Sequence, residues 1–258
     1  MMPSRRSDRL RTLLGIWALV KRDFQRLWID RVRILAGVGQ PLLYLFLLGS
    51  GLSASSRLGG HYQSYIFPGV LGLSLLFTAT FSGISIVWDR ETGFFKAVLV
   101  APISRRAIAT GKVLSGALQA LVQGGVILFF APFVGVRLSV ASLVMLIGAM
   151  SLAAVTFAAI GVAIASRVRS TEVFPVVING FLLPMFFASG ALYPLDEAPG
   201  WLQRLASVDP VGYAVDLMRL ALGHPFHFPP LLSIGVLLAL SLGLTHFAIR
   251  TFERGEDV

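Results

Sequence analysis

Long blocks of apolar residues alternate with short polar stretches along this chain. A helix that crosses a bilayer needs about 20 mostly apolar residues. Six blocks meet or approach that length, at about 34–52, 66–88, 113–136, 138–165, 173–193 and 230–249. Each predicts a membrane-spanning helix. The first contains Gln40-Pro41, and the second opens with Phe67-Pro68-Gly69. A membrane helix tolerates such prolines when its neighbours re-satisfy the freed carbonyl.

The polar stretches carry patterns of their own. In residues 1–33, Ile16, Trp17, Val20, Phe24, Leu27 and Trp28 recur at helical spacing. Lys21, Arg22, Gln25 and Arg26 take the other side, which predicts a helix lying in the membrane interface. A signal peptide does not fit, because the polar region is long and no small-residue cleavage site follows a short apolar core. Within 89–112, the part from Glu91 to Val100 is amphipathic, the helix is expected over Arg90 to Val100, and Pro102 stops it. The stretch 166–172 is short. Residues 194–228 are too apolar for a solvated loop and too broken by Pro210 for a span. Two short re-entrant helices at the outer face, capping a pathway, fit them better. The expected fold is all-α, one transmembrane domain over residues 1–258.

Composition fixes the environment. Of 258 residues, 55% are hydrophobic and only 14% charged, against about 25% in an ordinary soluble domain. Mean hydropathy is +0.78. A soluble globular domain and a disordered chain are both excluded. The net charge of +9 invites a nucleic-acid reading, which its distribution removes. Given six spans, eighteen of the 22 Lys and Arg fall on one face, leaving Arg57, Arg137, Arg204 and Arg219 on the other. That bias puts both termini in the cytoplasm of a multi-pass plasma-membrane protein. There is no cysteine, so disulfides, thiol catalysis and cysteine-bound metals drop out.

Candidate chemistry is sparse. Gly111-Lys112 is followed by Val113 and lacks the earlier glycine of a phosphate-binding loop. No HExxH occurs, and His224 and His227 read as loop histidines, so no metal site is expected. Asp89, Arg90 and Glu91 read as solvated pairing among basic residues. The predicted spans hold no ionisable residue except His246. Ion-coupled carriers use such groups as relays, so a secondary transporter of a small amphipathic substrate is the weaker reading, although backbone carbonyls of broken helices also bind ions. A membrane scaffold or lipid-processing enzyme would need a polar cluster in the membrane, and none is visible. Phe94 and Phe95 either anchor their loop to the membrane or fill a groove on a cytoplasmic partner.

Several stretches in order carry a resemblance. They are Lys21-Arg22-Asp23, Gln40-Pro41-Leu42, Tyr65-Ile66-Phe67-Pro68-Gly69-Val70, Asp89-Arg90-Glu91-Thr92-Gly93, Leu99-Val100-Ala101-Pro102, Ser189-Gly190-Ala191-Leu192-Tyr193-Pro194 and Asp209-Pro210-Val211-Gly212-Tyr213. The set resembles the membrane permease subunit of type-two ATP-binding-cassette exporters, the group of the daunorubicin-resistance and nodulation-factor permeases. The resemblance implies a dimer of permeases working with separate ATPase subunits that hold the ATP and Mg, with no cofactor and no catalysis in this chain. It makes Asp89, Arg90, Glu91, Gly93, Phe94, Phe95 and Pro102 the coupling helix that docks on the ATPase. Arg167, Arg169 and Glu172 become a second contact. Phe77, Phe81, Asn179, Phe186 and Phe187 become the lining of a cargo pathway. Tyr193, Trp201 and Tyr213 become an external gate. An aromatic lining suits export of a hydrophobic or amphipathic cargo, such as a drug, a lipid or a lipid-linked glycan.

Overall fold

The apolar blocks become helices, and among the described residues the structure is all-helical. The computed structural model describes residues 15–17, 20–25, 31–53, 62–93 and 105–254. Helix α1 covers 15–17 and 20–25. Helix α2 (Arg31–Leu43) passes through a π-helical turn, Tyr44–Leu48, into α3 (Gly49–Ser53). Pro41 lies just before that wider turn, as expected where a missing N–H disturbs the hydrogen-bond ladder. Helices α4 (Tyr62–Phe81) and α5 (Ile84–Glu91) form one rod of 30 residues, interrupted at Ser82-Gly83. Next come α6 (Arg105–Leu128), a 3-10 turn (Ala131–Val134), α7 (Val140–Ala165) and α8 (Val173–Ala188). A 3-10 turn (Leu195–Glu197), α9 (Gly200–Ala206), α10 (Pro210–Ala221) and α11 (Pro230–Arg254) complete the path.

Among the described residues, four helical stretches are long and apolar enough to cross a membrane: Tyr62–Glu91, Arg105–Leu128, Val140–Ala165 and Pro230–Glu253. Helix α8 is apolar but shorter, at 16 residues. The predicted third span needs correcting. It starts at Arg105 rather than 113, and it ends at Leu128 because Pro132 and the left-handed Gly135 (φ 79°) turn the chain. Lys112 therefore sits inside α6. The two short helices expected in 194–228 exist as α9 and α10, and every residue of α10 from Pro210 to Arg219 is buried.

Helix α7 is the central post, packed against α4, α6, α10 and α11. Ala149, Ala153, Ala154, Ala158 and Ala159 are all buried along it. Such small residues let membrane helices approach closely. The tightest approach lies where the α4–α5 rod breaks. A β-carbon on Gly161 would stand 2.3 Å from the Thr80 carbonyl oxygen, and one on Gly83 would stand 2.6 Å from that of Gly161. Gly161→Val is therefore expected to force the crossing apart and destabilise the protein by about 1–3 kcal/mol, as overpacking does. Thermal unfolding in detergent measures this. Gly148→Ala, where an added β-carbon meets nothing, should not lower the midpoint.

Candidate functional site

Buried charges gather at one end of the bundle. Lys112 on α6 is 5% exposed. Its Nζ donates to Asp23 Oδ2 at 3.0 Å, Asp89 Oδ2 at 3.2 Å and Ser85 Oγ at 2.9 Å. Arg22 reaches the same two carboxylates, at 2.9 Å each. One knot of two cations and two carboxylates thus joins α1, α5 and α6. Burial alone would push the Asp23 carboxyl up, but Lys112 and Arg22 outweigh it and hold it below the usual carboxylate range. The polar character continues inward along α6. Ser115, Gln119 and Gln123 are buried on the face of Lys112, and Thr78 Oγ1 donates to Gln123 Oε1 at 3.0 Å.

This corrects two expectations. Asp89 is not solvated; it is 4% exposed and turned inward. The spans are not free of ionisable groups either. The missed signal is the spacing 112, 115, 119, 123, a polar stripe of helical period inside an apolar block.

Next to the knot, the two stretches expected to dock are tied to each other. Arg90 Nη1 donates to Val168 O at 3.2 Å and Ala165 O at 3.5 Å, capping the C-terminal end of α7. Glu91 Oε1 accepts from Thr171 N at 2.9 Å, and its Oε2 from Thr171 Oγ1 at 2.7 Å, just ahead of α8. A carboxylate before a helix start also suits the helix dipole. Helix α5 stops at Glu91, and Gly93 turns left-handed (φ 71°). The helix expected over Arg90 to Val100 therefore does not begin there: Arg90 and Glu91 end the previous span. Phe94, Phe95 and Pro102 lie outside the described residues. Arg167 stacks over Phe247 at 5.2 Å, while Arg169 and Glu172 are exposed. Arg105 donates to the Phe252 and Glu253 carbonyls, so the same end also fastens α11.

The aromatic candidates do not converge on one cavity. Phe77 and Phe81 stack at 6.0 Å, and Phe81 meets Phe174 edge-on at 6.4 Å, a partner that the sequence reading lacked. Phe186 packs into the core, at 3% exposure. Asn179 and Phe187 are exposed on α8.

At the opposite end, Tyr193 donates to Phe187 O at 2.7 Å and Trp201 is exposed. Tyr213 is buried, with its hydroxyl on Ser207 O and its ring 4.3 Å from Phe228. Asp216 and Arg219 form a second buried pair, on α10. A cavity of about 360 Å³ opens beside Arg219, Tyr65 and His227.

Asp209 caps α10 by accepting from Val211 N at 2.9 Å. Burial pushes its carboxyl up to about 7, against the opposing pull of that bond. A raised acid favours the fold while protonated. Stability from this group is full below its unfolded value near 4 and fades as pH rises through about 7. Asp209→Asn keeps the cap and removes the charge. It should flatten the fall in melting temperature between about pH 4 and 7, the interval between its unfolded and folded values; an unchanged slope would contradict the assignment.

A bundle of long apolar helices with its buried charges gathered near its ends is a polytopic membrane protein. Residues 15–222 match the ABC-2 type transporter family, and the chain belongs to it. Among its relatives is the transport permease ycf38 of Porphyra purpurea, 32% identical over 79% of this chain and 72% of that protein. The ycf38 permease of Cyanophora paradoxa is 29% identical over 81% of this chain and 74% of its own length. Nodulation protein J of Rhizobium leguminosarum bv. trifolii is 29% identical over 74% of this chain and 75% of its own.

Proposed function

We propose that the chain is the membrane subunit of an ATP-driven exporter, with the Lys112 end in the cytoplasm and a second permease copy beside it. The supporting observation is mechanical. The end of α5, the 166–172 stretch and α1 are joined by Arg90, Glu91 and the Asp23–Lys112–Asp89 knot. A push delivered there by a separate ATPase subunit reaches α1, α5, α6, α7 and α8 together, as a two-state element requires. ATP and Mg belong to that subunit. The cargo is hydrophobic or amphipathic: a drug, a lipid or a lipid-linked glycan.

The test is co-expression with an ABC-type ATPase encoded beside this chain, followed by purification in one detergent. The two should co-purify, and the permease should stimulate ATP hydrolysis. Glu91→Arg breaks the tie to Thr171 and places a cation at the docking face. It is expected to abolish the stimulation while the permease stays folded; full stimulation by the variant removes Glu91 from the coupling path. The buried carboxylates Asp23 and Asp89 keep the secondary-transporter alternative in play. Transport driven by a proton gradient with no ATP present would favour it.

A further inference from the structure

The structure assigns a lipid site to a groove between α1 and the α6–α7 pair: we propose that it holds an acyl chain of an anionic phospholipid. The groove measures about 470 Å³, within the range of small-molecule sites. Ile16, Trp17 and Val20 of α1 form one wall, Leu114, Leu118 and Leu121 of α6 form another, and α7 closes it with Val155 and Ser151. Among the described residues its polar groups are the Trp17 indole N–H and Ser151, whose hydroxyl is already bonded to Ile147 O at 2.7 Å. The rest of the described lining is apolar and favours a hydrocarbon chain.

Two observations choose the occupant. The first is depth. Leu114, Leu118 and Leu121 follow Lys112 along α6, a helix long and apolar enough to cross a membrane. The charged knot thus marks the headgroup level, and the groove runs about 10 Å inward from it, at 1.5 Å per residue. A chain entering at that level lies parallel to α6 among apolar side chains. The second is charge. Trp17 and Lys21 stand one helical turn apart on α1, and both are exposed. Lys21 is thus placed at the mouth, where a phosphate headgroup would sit, and an exposed lysine near a lipid surface prefers an anionic headgroup.

The site has a consequence for α1. Two of the helices that wall the groove, α1 and α6, are also tied to each other through Asp23 and Lys112. A chain in the groove completes the packing of α1 against α6. The lipid would act as a wedge that keeps the knot closed.

Trp17 makes the proposal measurable. Trp28, Trp88 and Trp201 are replaced by Phe in the full chain, leaving Trp17 as its fluorophore. The protein is reconstituted in phosphatidylcholine vesicles containing one low mole fraction of brominated phosphatidylglycerol or, separately, the same fraction of brominated phosphatidylcholine. Enrichment of the anionic lipid by about fivefold at the groove, the effect of one basic residue, should quench Trp17 more strongly in the first case. Lys21→Gln, a surface change that leaves the fold alone, should erase the difference. Ser151→Phe, which fills the groove, should lower quenching by both lipids. Equal quenching by the two lipids in the parent protein overturns the proposal. So does a Trp17 shielded from both, which would mean that a second copy or the chain's own N-terminal residues cover the groove. An anionic preference that survives Lys21→Gln overturns the headgroup assignment.

Discussion

Replacing Lys112 with methionine is expected to destabilise the protein by about 3–5 kcal/mol, the cost of removing one partner from a buried ion pair. Methionine fills a similar volume, so the loss is electrostatic. Asp23 and Asp89 are 6% and 4% exposed, and of the two described cations of the knot Arg22 would remain to face them. The pH response should reverse as well. In the parent protein Asp23 is held below the usual carboxylate range. Its contribution is therefore present near neutrality and fades as pH falls through that range. In Lys112→Met, a poorly compensated buried carboxylate prefers its proton, so stability should rise as pH falls. Melting temperatures of the two proteins across the acid range, in one detergent, read both effects. The triple variant Asp23→Asn, Lys112→Met, Asp89→Asn removes the charges together and should recover most of the loss, because a fully neutral replacement of a buried network is often tolerated. A single variant as stable as the parent, or one with the parent's pH slope, would show that the knot is not a closed electrostatic unit.

The knot also shows what a linear reading can and cannot reach. Helix positions were legible because burying 20 apolar residues in lipid leaves a periodic, local trace. Blocks at 138–165 and 230–249 correspond to α7 and α11 within a few residues. The short helices α9 and α10 were legible too, since Pro210 and the apolar run after it mark a helix start. Charge pairing left no such trace. Asp23, Asp89 and Lys112 are separated by 66 and 23 residues, and each looks like a solvated loop charge until the helices are assembled. The boundary of α6 decided the matter. Hydropathy favours a start at Val113, the first residue past the charges. The helix starts at Arg105 instead, because a lysine whose ammonium meets two carboxylates at 3.0 and 3.2 Å can lie inside the protein. The aromatic contacts were hidden for a related reason. Phe77, Phe81 and Phe186 are equally apolar on paper, and only packing separates the ring stack on Phe174 from a core residue.

The buried pair at the other end leads to the second large effect. Asp216→Ala should destabilise by at least as much as Lys112→Met, because three donors lose one acceptor. Asp216 accepts from the backbone N–H of His227 and of Phe228, both at 2.8 Å, and from Arg219 Nη1 at 3.4 Å. Arg219 is 2% exposed and is held across α4 by the Tyr65 hydroxyl at 3.0 Å and Gly190 O at 2.8 Å. Its Nε has no hydrogen-bond partner among the described residues, so the guanidinium already carries a deficit that Asp216 offsets. Without that carboxylate the cation is stranded, at about 3–5 kcal/mol, and the buried Phe228 N–H adds about 1–3 kcal/mol, with a smaller share from the part-buried N–H of His227. The strap between α10 and α11 should loosen first, since its anchor is the carboxylate itself. Limited proteolysis should then cut between Leu222 and Pro230 at a rate well above that of the parent, together with a lower melting temperature. Asp216→Leu combined with Arg219→Met removes both charges and should restore the melting temperature in part, but not the strap, because His227 and Phe228 still lack their acceptor. Equal protease resistance of Asp216→Ala and the parent would mean that α10 and the strap are held by packing of Tyr213 against Phe228 and not by the buried pair.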